Sequence, residues 1–150
     1  MRCFYCFEIN FNQDLESPQI NSYYGPVIKE DKEHIVIENH AENSTIFHNS
    51  HFGKIGMGKA IYDSPIDVIN AQELTPHYNS FPVDENETLE VYMIGFFFES
   101  TERPLANKAA KLCKKACLSE YQSGLKRKIE ELQRSLSWTK EITKRKMKKF

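Results

Sequence analysis

The stretch Leu89-Glu90-Val91-Tyr92-Met93-Ile94-Gly95-Phe96-Phe97-Phe98 decides the fold. Successive side chains of a strand point to opposite faces, and here both sets are apolar: Leu89, Val91, Met93 and Phe97 on one, Tyr92, Ile94, Phe96 and Phe98 on the other. A strand apolar on both faces belongs in the middle of a sheet, covered on each side. The chain supplies helical cover next. From Thr101 to about Lys149 it is rich in Ala, Leu, Lys, Glu and Arg, with Pro104 suited to a first turn and Gly124 the one interior residue that disfavours helix. One long helix or a pair is expected.

Upstream, residues 2–12 alternate, with Cys3, Tyr5, Phe7, Ile9 and Phe11 on one side and Arg2, Phe4, Cys6, Glu8, Asn10 and Asn12 on the other. That pattern predicts a strand with one solvated face. Residues 14–21 read as a loop around Ser17-Pro18. Residues 23–29 and 34–38 form a predicted hairpin about the charged turn Glu30-Asp31-Lys32-Glu33, and residues 44–48 a further short strand. Ser64-Pro65-Ile66-Asp67 marks a helix start, with Ser as cap, Pro at the first helical position and a carboxylate in the first turn; Thr75-Pro76 ends that helix. The expected class is α+β: a mainly antiparallel sheet within residues 1–99, then a long C-terminal helix or helix pair over residues 101–149, in one domain.

Apolar spacing in the helical segment predicts more than its cover of the sheet. Leu105, Ala109, Leu112 and Ala116 form one stripe, and Leu118, Tyr121, Leu125, Ile129, Leu132 and Leu136 a second, offset one, both stepping by threes and fours as a coiled-coil seam does. An unbroken helix of this length would reach about 65 Å, beyond the width of such a domain. The second half must therefore fold back at Gly124 or meet another chain, and the stripe predicts a homo-oligomer through the C-terminal helix.

At 150 residues, 40% apolar and 12% aromatic, the chain can bury a core, which rules out disordered, collagenous and low-complexity classes. No apolar run approaches a membrane span, and residues 1–4 do not open a secretion signal, so a soluble, cytoplasmic protein is expected. The net charge of −1 hides a split: residues 105–150 hold 14 Lys/Arg against 4 Asp/Glu, and the acidic residues concentrate before them. Such asymmetry points to an anionic ligand or a protein partner.

Four cysteines, spaced Cys3-x2-Cys6 and Cys113-x3-Cys117, raise a zinc reading that strand alternation opposes, since Cys3 turns to the core and Cys6 away from it. Reduced thiols and no metal are expected. Pairs such as Glu30 with Asp31, and Asp84 with Glu85 and Glu87, fall in apparent turns and read as solvated.

Two features could hold an anion. Lys54, Gly56, Gly58 and Lys59 lie in a glycine- and lysine-rich run, where backbone N–H groups and ammonium groups can form a phosphate nest; the run matches neither the dinucleotide nor the Walker fingerprint. Arg127, Arg134 and Trp138 fall near one side of the helix, away from the leucine stripe, and offer cations with a ring for stacking on a nucleotide or nucleic acid. The leading expectation is a non-catalytic, oligomeric binding protein for such a ligand, without a cofactor. The second is an inhibitor or adaptor docking on a partner protein through its acidic sheet surface and helical stripe. A third, a small phosphoester hydrolase, would use His48, His51 and His77, though no nucleophile elbow accompanies them.

Overall fold

A computed structural model describes residues 1–11, 19–39, 43–53, 58–84 and 87–148. Strand β1 (Arg2–Phe11) pairs antiparallel with β7 (Glu87–Glu99) along its whole length, from Arg2 opposite Glu99 to Phe11 opposite Glu90. On the other edge of β1 lies β2 (Gln19–Glu30), which pairs with β1 up to Pro26 and from Val27 onward with β3 (His34–Glu38). A register shift between Val27 and Lys29 bends β2 at this handover, as a bulge does. Beyond β3 comes β4 (Ser44–His48). The far edge of β7 is shared by β5 (Ile61–Tyr62), parallel to it, and β6 (His77–Asp84), antiparallel to it. The mostly antiparallel sheet is followed by a long C-terminal helix, α2 (Arg103–Lys148), so the class is α+β as expected.

Helix α1 (Pro65–Asn70) starts where the sequence places it: the Ser64 hydroxyl accepts from the Asp67 N–H at 3.2 Å, and Pro65 occupies the first helical position. It ends at Asn70, five residues before Thr75. Asp31 closes the β2–β3 turn by accepting from the Glu33 and His34 N–H groups, each at 2.8 Å. These two hydrogen bonds hold its carboxyl below the usual range.

Strand β7 is covered on both faces, but only one cover is helical. Over one face the β3–β4 ribbon curls back, so that Ile35, Ile37, Phe47 and Phe52 join Phe4, Cys6, Val91, Met93 and Phe97 in a buried cluster. Phe4 sits at its centre, edge-on to Phe47 and Phe52 at 5.5 and 6.1 Å between ring centroids. Gly95 makes room for it: a Cβ there would stand 2.5 Å from Phe4 Cζ and 2.9 Å from the Tyr5 carbonyl oxygen. The expected solvated face of β1 is thereby corrected. Phe4 and Cys6 are fully buried because the chain folds its own ribbon onto them, an effect of the β2 handover that alternation within β1 does not encode.

The other face carries a row of rings across four strands. Tyr24, Tyr5, Phe96 and Tyr62 stand opposite one another in register, with Tyr5 stacked on Tyr24 at 5.3 Å and on Phe96 at 5.5 Å. The first turns of α2 lie over this face. The Arg103 guanidinium stands 4.9 Å from the Tyr24 ring centroid, and Ala106, Ala109, Ala110, Cys113 and Cys117 are buried. Small residues let the helix axis approach an aromatic floor at normal packing density. Burial pushes the Cys113 thiol up to about 12 and raises Cys117 as well, so both behave as inert apolar groups.

Of the predicted stripe Leu105, Ala109, Leu112 and Ala116, Ala109 is buried, Leu112 and Ala116 are half-buried and Leu105 is exposed; the buried line runs instead through Ala106, Ala109, Ala110, Cys113 and Cys117. Gly124 does not break α2. The loop expected over residues 14–21 is strand from Gln19 onward, while residues 14–18 lie outside the described residues. Contacts divide the chain into two compact units, Met1–Glu120 and Tyr121–Phe150.

Candidate binding surfaces

Lys54 and Gly56 lie outside the described residues. Gly58 has φ +84, a conformation that favours glycine, and a Cβ there would collide with the Thr75 hydroxyl. Its carbonyl accepts from His77 Nε2 at 2.9 Å. Lys59 pairs with Asp63 at 2.9 Å, so its ammonium already has a carboxylate beside it. The described half of the glycine- and lysine-rich run is thus explained by local structure.

The histidines divide in the same way. His77 is buried on β6 and held by Gly58, away from any role as an exposed acid or base. His48 and His51 do approach, at 5.1 Å between ring centroids, and the sequence reading missed their third neighbour, His34, at 4.7 Å from His48. Cross-strand pairing of His34 with His48 creates that contact, which only the β3–β4 register reveals. Burial, and then the charge of His48, lowers the His51 pKa. Among the described residues no three His, Cys, Asp or Glu side chains are grouped as a metal site requires.

Described residues of the Met1–Glu120 unit line concavities, of which two bring polar groups together. One is lined by Tyr24, Gly25, Pro26, Glu38, Asn39 and Arg103, among others; Gly25 is required there because a Cβ would strike the Glu38 carbonyl oxygen. The other brings Glu8 and His51 to an apolar floor of Phe47, Val91 and Met93. Burial raises the Glu8 carboxyl despite hydrogen bonds with Asn21 and Tyr23. A raised acid and a lowered base both favour their neutral forms, as desolvation in a partly buried wall dictates.

The unit from Tyr121 onward presents different chemistry. Ile129, Leu132 and Leu136 are 48%, 64% and 63% exposed, and Leu125 is half-buried. They step by four, three and four and fall within about 60° of an ideal helix. On the other side of the helix, Arg127, Arg134 and Trp138 are exposed as the sequence predicts. Arg134 and Trp138 line one shallow depression with Glu130, Gln133 and Ser137, and Arg127 stands outside it. Glu130 weakens that depression as an anion site, since its carboxylate opposes a phosphate.

No helix among the described residues is long and apolar enough to cross a membrane. Comparison with known protein families, with curated proteins and with solved structures found no match to this chain.

Proposed function

We propose that the protein is a small non-catalytic adaptor that docks on a partner through the distal half of α2. The observation that carries this reading is the line of half-buried Leu125 and exposed Ile129, Leu132 and Leu136 on a helix whose earlier turns bury their small residues in the chain's own core. Large aliphatic side chains in a continuous exposed line mark an interaction surface. Burying what remains exposed of the four, roughly half of each side chain, contributes on the order of 3–6 kcal/mol. Association costs about 4–15 kcal/mol, so the line alone is marginal and its charged borders select the occupant, a second copy or another protein.

A photo-crosslinking residue in place of Leu132 tests the reading in cells that make the protein. The expected result is a complex of discrete mass that disappears when Ile129→Asp and Leu136→Asp are added. Crosslinks equal in yield from position 132 and from exposed position 131 would count against it.

A second reading, capture of a nucleotide or nucleic acid, is favoured by the shared depression of Arg134 and Trp138. Because Trp138 is the only tryptophan, its fluorescence reports on this site alone. Quenching by a nucleotide or a single-stranded oligonucleotide, lost in Arg134→Ala, would support capture. Unchanged emission up to millimolar ligand would remove it.

A further inference from the structure

The exposed line on distal α2 is a seam, too narrow for a lipid surface. Its arc of about 60° compares with roughly 100° or more for a helix lying on a core or a bilayer. In heptad terms Leu125 and Leu132 take d positions and Ile129 and Leu136 take a positions. The bordering e and g positions are then Lys126, Lys128, Gln133, Ser135 and Lys140, with three lysines and no carboxylate. Glu130 and Glu131 fall at b and c, outside the contact.

A second copy fits these borders poorly. In a parallel pair Lys128 would face Gln133 of the other copy, and Ser135 would face Lys140. In an antiparallel pair with Leu125 against Leu136, Lys126 would face Gln133 and Lys128 would face Ser135. Neither arrangement forms an interhelical ion pair, and the like charges of the two borders add. Nor does the rest of the chain supply an acidic helix: among the described residues the other α-helix, α1, has 6 residues, less than one heptad.

We infer that the seam takes an amphipathic helix of a different protein whose apolar stripe is bordered by Glu or Asp, with those carboxylates facing Lys126 and Lys140. This rests on the reading of distal α2 as a docking element. It adds the sign and shape of the partner, and it replaces the homo-oligomer expected from spacing alone, which counts the stripe without its borders.

Three labelled peptides test it against the full chain. Each has three heptads with Ile at a and Leu at d; the e and g positions are all Glu, all Gln or all Lys. Binding is followed by fluorescence anisotropy at low and high salt. The Glu peptide is expected to bind about tenfold more tightly than the Gln peptide, with the advantage shrinking in high salt, while the Lys peptide does not bind. The exposed double variant Lys126→Glu/Lys140→Glu should reverse that order, with far-UV circular dichroism confirming an intact helix. Equal binding of Glu and Gln peptides would overturn the inference and leave the docking reading standing. Binding of none would overturn both. A dimer that ignores all three peptides and dissociates on Leu132→Asp would give the seam to a second copy, overturning the inference alone.

Discussion

Helix α2 uses apolar residues in two opposite ways. In residues 106–117 it buries small ones, Ala106, Ala109, Ala110, Cys113 and Cys117, and in residues 125–136 it exposes large ones, Ile129, Leu132 and Leu136. Hydrophobicity alone would rank the second group as core. The difference lies in what each half meets: the floor under the first is already filled by Tyr5, Tyr24, Phe96 and Tyr62, so only small residues allow normal packing density. Large side chains at the solvent-facing end are consistent with a contact completed from outside.

This contrast can be broken most forcefully at its aromatic floor. Phe96→Ala, which removes a fully buried ring, should lower unfolding free energy in urea by about 3–5 kcal/mol. Ala109→Leu, an enlargement on the buried line, is expected to cost about 1–3 kcal/mol through overpacking. Leu132→Ala deletes the same three carbons that Ala109→Leu adds, yet it should change stability of the dilute protein by less than about 0.5 kcal/mol. A comparable loss at positions 109 and 132 would erase the distinction between the halves.

The smallest effect lies outside the helix and shows how an exposed polar contact compares with both. Because hydrogen bonds hold the Asp31 carboxyl below its ordinary range, its contribution is present above the unfolded carboxylate pKa and is lost as pH falls through the lower folded value. Asp31→Ala should therefore reduce Tm near neutrality, and the gap between variant and parent should close in acid. A gap that is constant with pH would mean that the turn does not depend on the carboxylate.

Legibility followed locality. The double-faced pattern around Met93, the strands His34–Glu38 and Ser44–His48, and the Ser64 cap depend on neighbours in sequence, and all were readable there. Strand β6 was not, since Pro82 and the polar Asn79 and Ser80 weaken a strand signal that pairing with β7 overrides. Burial of Phe4 and Cys6 depends on a ribbon more than 25 residues away. The helix phase was legible at Ala109 and Tyr121, which are buried, and misjudged at the first turn, where size was taken for burial: Leu105 looked like core, and Ala106 is core. Of the candidate sites, exposure of Arg127, Arg134 and Trp138 was legible from helical periodicity. The local roles of Gly58 and Lys59 were hidden in contacts with Thr75, His77 and Asp63.

Amide hydrogen exchange along α2 in the dilute, full-length protein tests the central claim most directly. If the first half is held by the chain's own core and the second awaits a partner, residues 106–117 should be strongly protected in the free protein. Residues 125–136 should exchange much faster and gain protection when the Glu-bordered peptide is added. Equal protection of both stretches in the free monomer, unchanged by the peptide, would contradict it.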